Sequence, residues 1–165
     1  MQLESEVSGG GFVAANKIAS LLSILRRQYN LSDKDILEFA KNANDIYIPL
    51  SIFSKDISPF ETIVKYLREE LHLKNKDVSV LTNRDARTVS TTYNNSKRKH
   101  IARFSDIDFS FSLPLSIIKS RGKSCFETIV MYCHDELKLS LMKISEITKR
   151  NYRTVWTLKR RAQSR

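Results

Sequence analysis

An internal duplication constrains this chain more than any other feature of it. Displaced by 66 positions, Phe60-Glu61-Thr62-Ile63-Val64 falls on Phe126-Glu127-Thr128-Ile129-Val130, Arg84 on Arg150, and Arg87-Thr88-Val89 on Arg153-Thr154-Val155. Upstream, Ile48-Pro49-Leu50-Ser51-Ile52 matches Leu113-Pro114-Leu115-Ser116-Ile117 at a displacement of 65, so the second copy carries one extra residue. Apolar positions stay apolar between the copies, whereas exposed polar positions vary. One structural unit used twice is the expected architecture, and this sets the frame for every local reading. Each copy, of about 55 residues, is near the lower size limit for independent stability.

Charge follows the duplication. Residues 1–45 carry five basic and six acidic side chains, residues 46–100 ten and six, and residues 101–165 thirteen and six. The net charge of +10 therefore sits on the two copies and rises toward the C-terminus. Such surfaces attract phosphate backbones through counterion release. No stretch is apolar for the roughly 18 residues that a membrane span needs, and no signal peptide opens the chain, so a membrane partner is not expected. Cys125 and Cys133 lie eight apart on one expected helix, about 12 Å, which is too far for a disulfide. Cys133-His134 has no companion pair at ligand spacing, so no metal site is expected. Cys133 falls where the first copy has Leu67 and reads as a packed core thiol. With neither a leader nor a disulfide framework, the expected location is cytoplasmic and nucleoid-associated.

Along the chain, residues 1–11 read as a flexible tail rich in Ser and Gly. Residues 12–45 read as a helical segment, with Ile18, Leu21, Leu22 and Leu25 at helical spacing and a second helix from Ser32 to Asn42. The first copy spans 46–100 and the second 101–165. Ser58-Pro59-Phe60-Glu61 is a capping box with proline at the first helical position, and Ser124-Cys125-Phe126-Glu127 repeats the box. The helix that follows buries Phe60, Ile63, Val64, Leu67 and Leu71, and its copy buries Phe126, Ile129, Val130, Cys133 and Leu137. The opposite face, with Lys65, Arg68, Glu69 and Glu70, reads as solvated. Ile46 to Phe53 and Ile107 to Ile118 alternate around a proline. Ile107, Phe109, Phe111 and Leu113 fit one face of a short strand or of an extended segment over the helices, and proline argues against a central strand.

The second half of each copy has the pattern of a helix-turn-helix. A helix is expected over Asn75 to Leu81 and another from Ala86 to about Lys97; the copy runs Leu141 to Ile147 and Tyr152 to about Arg161. Ser79 and Ser145 supply the small residue where the helices cross. Four residues on, Asn83 and Lys149 stand where the backbone turns left-handed, a conformation that asparagine tolerates better than lysine. Asp85 and Asn151 supply the next cap. Val89 and Val155, then Thr92 and Leu158, face back onto Val78, Leu81, Ile144 and Ile147. The fold class expected is thus mainly α: two tandem three-helix helix-turn-helix repeats, an N-terminal helical segment and short extended linkers.

Asn83-Arg84-Asp85-Ala86-Arg87-Thr88-Val89 and Lys149-Arg150-Asn151-Tyr152-Arg153-Thr154-Val155 resemble the turn and recognition-helix start of sigma-factor region 4-type helix-turn-helix domains. Related sequences occur in transposase N-terminal domains and in archaeal DNA-binding proteins. The resemblance covers roughly 59–99 and 125–161. It lacks the turn glycine, and Arg84 and Arg150 stand where many members bury an aliphatic side chain. It implies the fold and DNA binding, not promoter recognition or transposition.

In a docked helix-turn-helix, the start of the second helix approaches base edges in the major groove. Positions expected to read bases are Arg87, Thr88 and Thr91, with Asn151, Arg153, Thr154 and Thr157 in the copy. Arginine pairs with guanine and asparagine with adenine. Phosphate contacts are expected from Arg84, Lys97, Arg98 and Lys99, and from Arg150, Lys159, Arg160 and Arg161. Trp156, which matches Ser90, either stacks on a base or sugar or packs against a neighbouring helix, the commoner arrangement.

The function expected is therefore non-enzymatic binding of double-stranded DNA by two modules in the major groove, as a transcriptional regulator or a DNA-organising factor. The alternative is a protein–protein adaptor, with the N-terminal helical segment joining a partner or a second copy of the chain. No cofactor is expected. Clustered carboxylates, a nucleophile–base pair and a glycine-rich phosphate loop are all missing from the sequence, which disfavours an enzyme. The stacking aromatics of a single-strand RNA platform are missing too.

Overall fold

The computed structural model describes residues 45–120 and 122–163, together with Ala19, Leu22, Ser23, Arg26, Arg27, Ser32 and Lys34. By its internal packing the chain divides into residues 1–44 and 45–165. In the first unit all the described residues except Ser32 are helical. The tail expected over 1–11, the apolar positions Ile18, Leu21 and Leu25, and most of the helix expected over 32–42 lie outside the described residues.

The second unit is mainly helical. Helix α1 runs Pro59–Glu69 and helix α4 runs Cys125–Asp135. Both begin in complete capping boxes. The Ser58 hydroxyl accepts from the Glu61 amide at 3.3 Å while the Glu61 carboxylate accepts from the Ser58 amide at 2.8 Å. Ser124 and Glu127 repeat the exchange at 3.2 and 2.8 Å. Two of the amides left without partners in each first turn are thus satisfied by the sequence itself. The apolar stripes go inward: Ile63, Val64, Leu67, Ile129, Val130 and Cys133 are all 0% exposed.

Helices α2 (Asn75–Thr82) and α3 (Ala86–Lys99) complete the first copy, and α5 (Leu141–Thr148) and α6 (Tyr152–Gln163) complete the second. The turns between them follow the sequence reading. Asn83 and Lys149 both take left-handed backbone at φ 52°. Ser79 and Ser145 do more than make room, because their hydroxyls donate to the carbonyls of Arg84 and Arg150 at 2.5 and 2.6 Å and close each turn from inside. Val78, Val89, Ile144 and Val155 pack between the helices, almost wholly buried. The turn from first to second helix is left-handed as well, at His72 (φ 54°) and at its equivalent Lys138 (φ 55°).

The segments ahead of each helical set join the two copies. Strand β1 (Tyr47–Pro49) pairs antiparallel with β2 (Ser112–Pro114), placing Ile48 opposite Leu113, Tyr47 opposite Pro114 and Pro49 opposite Ser112. Beyond the strands, the Leu50 amide donates to the Phe111 carbonyl at 2.8 Å and the Leu115 amide to the Ile46 carbonyl at 2.7 Å. Short 3-10 turns follow at Leu50–Ile52 and Leu115–Lys119. The first packs on α5, the second on α2, and α1 packs on α4. One apolar core results, with Ile48, Leu50, Leu113 and Leu115 between the helices of both copies.

Two expectations are corrected, at Leu71 and Lys65; Leu71, expected at the end of the first buried stripe, is 38% exposed. The alternation over 107–113, which fitted either a short strand or an extended segment, gives a strand only at Ser112–Pro114, and Phe109 stays 58% exposed. Upstream of the strand the chain curls around Ser51, whose hydroxyl accepts from the Asp108 amide at 2.9 Å and donates to its carbonyl at 3.0 Å. Lys65 is not solvated but 0% exposed. Its ammonium pairs with Glu69 at 2.5 Å and lies 5.7 Å from the centre of the Phe104 ring. The chain beyond α3 covers a helix face that looks polar when its own sequence is read alone.

Candidate nucleic-acid interface

Helices α3 and α6 present their first turns outward. Each start is fixed by a side-chain cap. Asp85 accepts from the amides of Arg87 and Thr88 at 2.7 and 3.4 Å, and Asn151 accepts from the Arg153 amide at 2.8 Å. Once Val89 and Val155 are buried, the helical period turns Arg87, Thr88 and Thr91, and likewise Arg153 and Thr154, to the exposed side. Among the described residues the guanidinium groups of Arg87 and Arg153 have no hydrogen-bond or ion-pair partner. Thr157 is half-buried and its hydroxyl donates to the Arg153 carbonyl at 2.7 Å, so it serves the helix first. In the second copy Asn151, Arg153, Thr154, Thr157 and Arg161 line one shallow open groove with Leu158. The sequence-derived base readers of that copy are therefore brought together on one surface.

The cations divide into two groups. Lys97, Arg98, Arg160 and Arg161 are exposed along the C-terminal halves of α3 and α6. Lys97 lies 4.8 Å from the centre of the Tyr93 ring, Arg98 is hydrogen-bonded to Asn95, and Arg160 stacks over Trp156 at 5.5 Å. These interactions splint the long side chains while leaving their charges toward water.

The other cations are engaged inside the fold. Lys159 is only 7% exposed, its ammonium 2.5 Å from the Asp135 carboxylate. Lys99, half-exposed, donates to Glu61 at 2.8 and 3.0 Å. Arg84 and Arg150 each lie 5.8 Å from the ring centre of the phenylalanine in the first turn of their copy's first helix, Phe60 and Phe126. Arg150 also reaches into the other copy, donating to the Ile57 carbonyl at 2.5 Å and the Lys55 carbonyl at 3.5 Å. Each of these arginines thus lies over an aromatic ring and donates to backbone carbonyls, Arg84 to that of Asn83 at 3.3 Å. The structure does not place Lys159, Arg84 or Arg150 in the exposed row with the other cations.

The ion pairs perturb their acids. Hydrogen bonds from Lys159 and His134 hold the Asp135 carboxyl below its usual range. Burial would raise Glu61, but hydrogen bonds from Lys99 and Ser58 outweigh it and leave the carboxyl lowered. The two thiols are core groups: burial pushes both Cys125 and Cys133 up to about 12.

Sequence reasoning undervalued the aromatic side of α6. Tyr152 and Trp156 are 45% and 44% exposed, and they stand with Arg160 at four-residue steps along one side of the helix. That spacing was visible in the sequence. Sequence reasoning also missed the exchange between Lys159–Asp135 and its equivalent, in which the Tyr93 hydroxyl donates to Glu69 at 3.3 Å. Two aligned positions that change together were the available signal. Among the described residues no helix is long and apolar enough to cross a membrane. No family model matches this chain, and neither a curated protein nor a solved structure does.

Proposed function

We propose that this protein binds double-stranded DNA without catalysis, through two helix-turn-helix modules formed by α1–α3 and α4–α6. The N-terminal ends of α3 and α6 enter the major groove, where Arg87 and Arg153 pair with guanine edges. Thr88, Thr91 and Thr154 make the neighbouring contacts. Asn151 uses its side-chain oxygen as a cap and offers its amide hydrogens to a base. Lys97, Arg98, Arg160 and Arg161 meet the phosphates that flank each reader. This is the sigma-region-4-like arrangement that the turn sequences resemble, used twice in one chain.

The single observation that carries the reading is the matched pair Arg87 and Arg153. Both are exposed and, among the described residues, unpaired at capped helix starts, in a fold where Arg84, Arg150, Lys65 and Lys159 are all committed to internal interactions. A protein that only needed solubility would have no reason to keep this one arginine twice at the same place. The reading implies a role in transcriptional regulation or in organising DNA, with no cofactor.

Titration of a fluorescent duplex of about 30 base pairs at rising salt tests it. The expected result is binding that weakens along a straight line in log salt, with single-stranded DNA bound more weakly than the duplex. Absence of duplex binding at low salt, together with a stable complex with another protein, would replace this reading with that of an adaptor.

A further inference from the structure

We infer that the two readers address half-sites in inverted order on one duplex, not directly repeated ones. The inference rests on the DNA-binding reading above and concerns the geometry of its target. A duplication written head to tail suggests two modules laid along DNA in the same direction. The packing between the copies has a different symmetry.

In the β1–β2 pair, Ile48 and Leu113 are equivalent positions of the two copies, and swapping the copies exchanges the flanking pairs Tyr47–Pro114 and Pro49–Ser112. The same swap exchanges the bond from Leu50 to Phe111 with the bond from Leu115 to Ile46, at 2.8 and 2.7 Å. It exchanges the packing of Leu50–Ile52 on α5 with that of Leu115–Lys119 on α2, and it maps the packing of α1 on α4 onto itself. Each helix-turn-helix turn also reaches the other copy, though through non-equivalent residues: Arg150 donates to carbonyls of Lys55 and Ile57, while the Asn83 amide donates to the Lys119 carbonyl at 3.4 Å.

In the strand pair, in the amide bonds that flank it and in the packing of the 3-10 turns and first helices, where residue i of one copy meets residue j of the other, the counterpart of j meets the counterpart of i. Such reciprocity is the mark of a two-fold operator, since a head-to-tail operator gives pairings that are not reciprocal. The operator that relates the cores relates α3 to α6 as well. B-form DNA has two-fold axes across its own axis, and a protein sharing one of them meets half-sites in inverted order, one helical turn or a multiple apart.

Three of the differences between the copies lie on or beside the reading faces, at Asp85 against Asn151, Ala86 against Tyr152 and Ser90 against Trp156. The arginines and threonines beside them are the same. The target is thus an imperfect palindrome, with inverted arrangement and unequal halves. A homodimer with identical subunits has no means to specify unequal halves, whereas one covalent chain with two copies does.

Selection from a random-sequence duplex pool tests this, using the full chain and a variant carrying Asn151→Asp, Tyr152→Ala and Trp156→Ser. The substituted side chains are exposed, so the helices retain their packing. The wild-type chain is expected to enrich two dissimilar motifs in inverted orientation at fixed spacing, and the variant two like ones. Reversing one half-site of the enriched sequence at unchanged spacing is expected to weaken binding about 100-fold, because only one of two linked modules then engages its site. Enrichment of directly repeated motifs, or affinity indifferent to half-site orientation, overturns the inverted arrangement and leaves DNA binding intact. A chain that binds no duplex at low salt overturns the DNA-binding reading itself.

Discussion

Ile48 faces Leu113 across the antiparallel strand pair, and the two residues hold the same place in their respective copies. Both are 0% exposed. Neither copy can be removed without opening the core of the other. Ile48→Ala and Leu113→Ala are each expected to lower the unfolding free energy by about 2–5 kcal/mol, the range for a large-to-small change in a core. The double variant should lose less than the sum, because the two side chains share one site. Urea denaturation followed by circular dichroism measures this, with one cooperative transition expected for residues 45–165. Two separate transitions would show that the copies fold independently.

Lys149 takes a left-handed backbone that costs a residue with a Cβ about 1–2 kcal/mol. Lys149→Gly is expected to raise stability by up to about 1 kcal/mol, since the glycine also gives back some unfolded-state entropy. Asn83→Gly should gain less, because asparagine tolerates this conformation and its amide holds the Lys119 carbonyl. Thermal unfolding of both variants checks the order, and a larger gain at Asn83 would contradict it.

The thiols offer a test of packing. With Cys133 wholly buried and both thiols pushed up to about 12, almost no thiolate forms near neutrality. At a mildly alkaline pH the folded protein should be nearly inert to a thiol-reactive dye, and both cysteines should react promptly in denaturant. Rapid labelling of Cys133 in the native state would show that α4 is not packed as described.

Acid should weaken the first capping box. Glu61 sits below its ordinary value of 4.5, so it titrates lower in the folded chain than in the unfolded one. The stability it contributes is present above that ordinary value and is lost as the pH falls through the lower folded value. Glu61→Gln should flatten the stability profile in this acid window and leave the slope near neutral pH unchanged. An unaltered acid limb would remove Glu61 from the account.

The division among cations predicts two kinds of mutant. Arg87→Ala and Arg153→Ala should each cost about 1–3 kcal/mol on a preferred duplex and little on a scrambled one. Neutralising Lys97 and Arg98 should weaken all sequences alike and reduce the salt slope by about 0.9 for each phosphate that is no longer neutralised. Lys159→Ala should lower protein stability without changing the salt slope, because its ammonium faces Asp135. Anisotropy titrations at several salt concentrations separate the three outcomes.

The sequence made the helical parts legible because their signals are local. Ser58 and Glu61, Asn83 and Asp85, and their counterparts specify caps and turns within a few residues, and the duplication supplied each signal twice. What escaped was set by partners far along the chain. Alternation around Pro49 and Pro114 fits a strand and an extended cover equally, and only the other copy decides that β1 stops after three residues and pairs with β2. Lys65 looked solvated because Phe104, which covers it, lies beyond two further helices. Among the site residues, exposure of Arg87 and Arg153 followed from helical period and the buried valines. Which of the flanking cations point outward did not, since Lys159 and Arg160 are neighbours in sequence and differ only in what stands opposite them.

The central claim is that α3 and α6 both enter the major groove and read bases there through Arg87 and Arg153. Protection of guanine N7 from dimethyl sulfate on a selected duplex tests it most directly. The expected result is two protected patches about 10 base pairs, or a multiple, between centres. Arg87→Ala should abolish one patch and Arg153→Ala the other. A tightly bound duplex with every guanine N7 still reactive would place the protein outside the major groove and contradict the account.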